Sequence, residues 1–168
     1  MTSFGSIEKQ TIWGRKSRPQ IYIISRYHRF PHKEKNMKHY NVVAAAIRHN
    51  GKILCMQRGK TKFDYTAYKW EFPGGKIEDG ETPQEAIKRE IMEEMDMEIR
   101  VGDSICTVEN VYPDFSISLQ VFWCDVDSTC FDLKEHNAFK WLAISDMASL
   151  DWAEADKKVV ECLMAGSK

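Results

Sequence analysis

The sequence predicts an α+β (α/β) fold, an α/β/α sandwich built around a mixed β-sheet. Strand-like stretches near 40–58, 69–78, 98–110, 116–126 and 138–144 are interleaved with only two helical segments, near 82–95 and 154–165. No β-α unit repeats, which argues against an all-parallel sheet. With 168 residues, 43% hydrophobic and 29% charged, the chain has the make-up of an ordinary globular protein large enough to bury a core.

Each element has a local cause. "YNVVAAAIRHNGKILCMQR" is two apolar runs joined by Asn50-Gly51, the strongest two-residue hairpin signal. A polar loop over 60–68 follows. "KWEFPGGKIE" then reads as a short strand interrupted by Pro73-Gly74-Gly75, a turn at which backbone can approach a ligand closely. Thr82-Pro83-Gln84-Glu85 is a helix start with Thr as N-cap, Pro at N1 and Glu at N3, the reciprocal capping box. That helix runs to about Met95, and Asp96 falls where a left-handed residue is wanted.

Composition narrows the partners. Residues 1–36 hold eight Lys/Arg against two acids and show no sustained period, so they read as a basic, flexible N-terminal extension. A transit peptide, a basic arm and inert upstream sequence all fit it. The folded domain is expected over 37–168, which carries a net charge of −7. An acidic body is a poor match for nucleic acid, so no stable nucleic-acid partner is expected, and any bound phosphate should arrive with cations. No run approaches ~18 apolar residues, so no membrane-spanning helix is expected. The five cysteines are odd in number and contain no C-x-x-C pair, which favours reduced thiols and a cytoplasmic setting.

The helix over 83–95 poses the chemical question. On a wheel of about 100° per residue, Ile87, Ile91 and Met95 form a narrow apolar stripe, and Glu90, Glu93 and Glu94 form an acidic strip beside it. Glu94 sits at the junction and should be partly buried. Arg89 lies within reach of Glu85 and Glu93. Like charges on one helix face repel, but hard divalent cations want clustered carboxylates and leave room for substrate phosphates.

These residues resemble the signature of the Nudix hydrolases, G-x5-E-x7-R-E-U-x-E-E-x-G-U, where U is bulky and aliphatic. The chain reads Gly75, Glu81, Arg89, Glu90, Ile91, Glu93 and Glu94, then Asp96 in place of Gly, and Met97. "WEFPGGKIE" adds a likeness to MutT-type and CTP-type nucleoside triphosphate pyrophosphohydrolases, over about 37–165.

The resemblance implies a Nudix fold and a hydrolase that splits a (deoxy)nucleoside triphosphate, of the 8-oxo-dGTP or (d)CTP type, into monophosphate and pyrophosphate. Such an enzyme serves nucleotide-pool sanitation with Mg²⁺ (or Mn²⁺). It implies metal ligation by the Gly74 carbonyl, Glu90, Glu93, Glu94 and a loop acid matched by Glu135. Glu81 would pair with Arg89 and orient the site, with Glu90, Glu93 or Glu135 as the base that takes a proton from water. Arg58 and Lys76 match phosphate-binding positions. Asp156, or Glu154 as the next candidate, would read the base, and Phe115, Tyr112 and Phe122 are candidates to stack on it. A monomer or homodimer is expected. The alternative is a Nudix-fold module that senses a nucleotide without cleaving it.

Overall fold

The computed structural model describes residues 8–11, 21–24 and 37–166. Nine strands among them make one mixed sheet. In chain order the elements are β1 (Glu8–Thr11), β2 (Ile21–Ile24), β3 (Lys38–His49), β4 (Lys52–Arg58), β5 (Trp70–Glu71), β6 (Gly74–Lys76), α1 (Pro83–Met95), β7 (Arg100–Val111), β8 (Phe115–Asp125), β9 (His136–Leu142), a 3₁₀ turn (Ile144–Ser149) and α2 (Glu154–Gly166).

β3 is the spine of the sheet. β8 runs parallel to it without a slip from Lys38 opposite Phe115 to Arg48 opposite Asp125. Alternation then decides the layers. Ala44 and Ala46 point into a core closed by Ala155, Val159, Val160 and Leu163 of α2. Val43, Ala45 and Ile47 point into a second core closed by Ala86, Ile87, Ile91 and Met95 of α1. One helix on each face gives the expected sandwich. Lys158 locks α2 onto β7 by donating to the Glu109 carbonyl at 2.8 Å and to Asn110 Oδ1 at 2.9 Å.

The other edge of β3 is shared between two strands. β4 pairs with it only next to the Asn50-Gly51 turn, at Arg48–Ile53 and His49–Lys52, and both turn residues have positive φ as the hairpin signal requires. Beyond that turn the strands part. β3 pairs instead with β6, and β4 with β5 and β9. Gly74 makes the junction possible. Its φ is +150°, and a Cβ there would strike the Val43 carbonyl and come within 2.8 Å of Ala44 Cα. The glycine pair read from sequence as a ligand-facing turn is thus first a close backbone approach to β3, and Gly74–Lys76 is strand.

α1 starts with both capping-box bonds in place and ends on Asp96, whose φ of 53° and ψ of 41° are left-handed. Of the basic extension, the described pieces are β1 and β2, and β2 lies parallel to β7 at the sheet edge. The remainder of residues 1–36, on which the expectation of flexibility mostly falls, lies outside the described residues, as do 167–168.

Candidate active site

The parting of β3 and β4 opens a cavity of about 720 Å³. Strand residues, cationic side chains and aromatic rings line it, and the acidic helix α1 reaches it through β6, whose Gly74 and Lys76 are part of the lining.

Arg89 organises the acids. Its Nε donates to Glu81 Oε1 at 2.6 Å and its Nη2 to Glu81 Oε2 at 3.0 Å. Nη2 also donates to the Lys76 carbonyl at 3.0 Å, and Nη1 to Glu90 Oε1 at 3.0 Å and Glu93 Oε2 at 3.3 Å. One planar guanidinium therefore ties the loop after β6 to the helix and orients two carboxylates, which a lysine could not do. The Arg89 bond holds the Glu81 carboxyl down to about 2. Glu85, expected beside Arg89, bonds Thr82 instead. Capping the helix start consumes its carboxylate.

Glu90 lies directly against Gly75, where any Cβ would strike its carboxylate. Glu94 is buried as expected, and its Oε2 has no hydrogen-bond partner. Burial pushes its pKa up to about 7, opposed by His136 and reinforced by the charges of Glu71, Glu135 and Glu90. Glu135 itself is exposed, close enough for its charge to be felt at Glu94. Among the described residues no three His, Cys, Asp or Glu side chains converge into a metal shell, and Arg89 engages Glu90 and Glu93. The donor set still suits a hard divalent cation. It is all carboxylate and carbonyl oxygen, and it includes a buried carboxylate oxygen without a partner.

Arg58, Lys76, Phe115, Asp156 and Gly74 all line the cavity. Lys76 Nζ sits 4.4 Å from the centre of the Tyr40 ring. Asp156 is buried in the first turn of α2 and accepts from the Phe72 backbone N–H at 3.0 Å. Burial, followed by the charge of Glu71, raises its pKa to about 7. Phe115 packs against Tyr112 at 4.7 Å and Phe63 at 5.6 Å between ring centres, and Tyr65 stacks on Tyr112 at 5.8 Å. Phe122, a stacking candidate by sequence, is buried in the core on the α1 side, because its neighbours in β8 alternate away from it.

Two titratable residues at the site were not foreseen. Glu71 is buried between Arg58, whose Nε donates to it, and His136, whose Nε2 lies 3.0 Å from Glu71 Oε1. Burial alone would depress the His136 pKa, but the hydrogen bond and charge of Glu71 and the charge of Glu94 raise it. The available signal was a lone charge between Trp70 and Phe72 in a short apolar strand.

The NUDIX domain model matches residues 37–163. The chain belongs to the NUDIX family. It is thus a hydrolase acting on phosphoanhydride bonds, with nucleotide-type substrates. It is 33% identical over 129 residues to the CTP pyrophosphohydrolase of Escherichia coli (strain K12), covering 77% of this chain and 94% of that protein. It is 32% identical over 127 residues to the 8-oxo-dGTP diphosphatase of the same strain, covering 74% and 95%. The solution structure of the E. coli ORF135 protein superposes with a TM-score of 0.66 at 32% identity, over 80% of this chain and 94% of that one.

Proposed function

We propose that this Nudix hydrolase splits (deoxy)nucleoside triphosphates of the (d)CTP or 8-oxo-dGTP type into monophosphate and pyrophosphate, as a cytoplasmic nucleotide-pool sanitising enzyme dependent on Mg²⁺ (or Mn²⁺). The observation that carries the reading is the contact between two environments. Arg89, which holds the acids, donates to the Lys76 carbonyl, and Lys76 with Gly74 lines a cavity that also carries Arg58, the rings of Tyr112 and Phe115, and a buried acid, Asp156.

Glu90, Glu93 and Glu94, with the Gly74 carbonyl and Glu135, are the residues that would hold the cation. A bound Mg²⁺ would neutralise phosphate oxygens and acidify a water molecule. Arg89 keeps Glu90 and Glu93 oriented in the meantime. A carboxylate among Glu90, Glu93 and Glu135 takes the proton from the attacking water. Glu90 is favoured because Gly75 gives it room beside the cavity wall. Lys76 and Arg58 hold phosphate oxygens. The aromatic wall of Tyr112 and Phe115 accepts a base, with Phe63 and Tyr65 extending it.

Asp156 reads the base edge. With its pKa raised to about 7, it presents both an acceptor and, in its protonated form, a donor near neutrality. Cytosine offers N4-H₂ beside N3, and 8-oxo-guanine offers N7-H beside O6. Both edges can donate to such a group; adenine N6-H₂ and thymine N3-H are donors too, so their rejection rests on where these donors fall when the ring lies on the aromatic wall. The working assembly is a monomer or homodimer without a nucleic-acid partner.

The test is a panel of dCTP, 5-methyl-dCTP, 8-oxo-dGTP, dATP and dTTP with Mg²⁺, scoring pyrophosphate against inorganic phosphate. Pyrophosphate from the first three above the last two supports the reading. Tight binding with no turnover of any of them would leave a nucleotide sensor instead.

A further inference from the structure

β9 carries one residue too many for its pairing with β4. Leu142 faces Ile53, Trp141 faces Leu54, and the ladder continues to Ala138 opposite Gln57; the next partner of β4, Arg58, then faces His136, leaving Asn137 unpaired. The slip changes faces. Ala138 and Leu142 pack on the α2 side of the sheet with Ile53 and Cys55, and strict alternation would send His136 there as well. The bulge turns it to the other side, where Leu54, Met56 and α1 lie, and where Glu71 waits opposite Met56.

The side chain of His136 is only 6% exposed there, with Nε2 3.0 Å from Glu71 Oε1. With Arg58 donating to the other oxygen of Glu71, Oε1 is left to accept, and the Nε2–H donates to it. Its other ring nitrogen, Nδ1, is buried without a partner, so among the described residues Glu71 alone orients the ring by hydrogen bonding. Glu71 uses its second oxygen, Oε2, for Arg58, and both Glu71 and Arg58 line the cavity.

We infer that His136 is a positioning residue for nucleotide binding, turned inward by the Asn137 bulge to lock the Glu71–Arg58 pair at the cavity wall. This rests on reading the cavity as the nucleotide site. A histidine that merely filled space would be replaceable by any side chain of similar volume. One that positions Glu71 needs a donor where Nε2 stands.

The experiment compares His136→Leu and His136→Gln, since the glutamine amide nitrogen reaches close to the place of Nε2. Affinity for dCMP and 8-oxo-dGMP is measured by calorimetry without metal, and KM and kcat are measured on the matching triphosphates. His136→Leu leaves a buried carboxylate oxygen unpaired and should weaken binding and raise KM on the order of tenfold, with kcat within about threefold. His136→Gln should recover most of the affinity. In a Glu71→Gln background, His136→Leu should have little further effect. If His136→Leu fails to melt cooperatively, His136→Met, which also lacks a donor, takes its place, and a loss that persists undiminished in the Glu71→Gln background overturns the inference. Wild-type affinity in His136→Leu overturns it too, as does equal loss in both single variants. Binding of a monophosphate by the wild type without turnover of any triphosphate removes the hydrolytic reading and leaves this one testable by affinity alone. Absence of nucleotide binding in the wild type removes both.

Discussion

Arg89 grips Glu81 through both carboxylate oxygens, at 2.6 and 3.0 Å, and the same guanidinium reaches Glu90 and Glu93. The pair spans the loop between β6 and α1, so it sets where the helix acids stand relative to the cavity. Arg89→Lys keeps a positive charge but cannot make the two parallel bonds. Activity should fall on the order of 10- to 100-fold, as when a group supporting a metal ligand is lost, and the Mg²⁺ concentration for half-maximal rate should rise. Measuring kcat/KM across a Mg²⁺ titration checks this, and an unchanged curve would mean that Arg89 is only a structural tie.

Gly75 is a second, sharper probe. A methyl group there strikes the Glu90 carboxylate while touching no backbone at the closest range. Gly75→Ala should therefore cost catalysis more than folding, with stability within about 1 kcal/mol of wild type and kcat reduced by tenfold or more. Gly74→Ala, whose methyl meets the backbone of β3, should be destabilised instead. Thermal melts and rates on both variants separate the two effects.

How much of this was legible in the sequence depended on range. α1 was readable to its caps because Thr82, Pro83, Glu85 and Asp96 are local signals, and the Ile87, Ile91 and Met95 stripe is buried as its spacing implied. The acids of the candidate site, Glu90, Glu93 and Glu94, were legible as one cluster because a single helix carries them together with Arg89. Glu71 and His136 were not, since their meeting depends on β4 pairing with both β5 and a bulged β9, contacts far apart in the chain. For the same reason Phe63 and Tyr65, in a polar loop, gave no hint of the rings they would meet. Phe122 was ambiguous because strand residues of either parity can be aromatic, and only the position of α1 assigns its face.

Asp156 predicts a pH dependence. Its pKa is raised from an ordinary carboxylate value to about 7 in the folded chain. The folded state thus favours the protonated form, and this contribution to stability is present below about pH 4 and lost as pH rises towards 7. Asp156→Asn cannot ionise, yet keeps an acceptor for the Phe72 N–H. Relative to wild type it should gain stability between pH 5 and pH 8, by an amount on the order of 1 kcal/mol or more. Urea melts at both pH values read this directly, and a constant difference would mean that Asp156 is ionised throughout. Asp156→Ala should also flatten the preference among bases while leaving metal dependence intact.

A chain beginning at Met37 should fold and turn over normally, since the family match starts there and every proposed site residue lies beyond it. It would, however, uncover the β7 edge that β2 occupies at Ile21, Tyr22 and Ile23. Expected are kcat/KM within about twofold of the full chain and a cooperative melt. Loss of the melting transition would make residues 1–36 part of the fold.

The central claim is that the carboxylates of α1 do the chemistry of phosphoanhydride cleavage, and Glu94 tests it most directly. It is buried, its Oε2 has no partner, and no ion pair among the described residues depends on it. Glu94→Gln keeps the shape and removes only the charge. Pyrophosphate release from dCTP and 8-oxo-dGTP at fixed Mg²⁺ should fall by at least ~10²-fold, with the melting temperature at or above that of wild type because a buried charge is gone. Full activity in a folded Glu94→Gln enzyme would contradict the account.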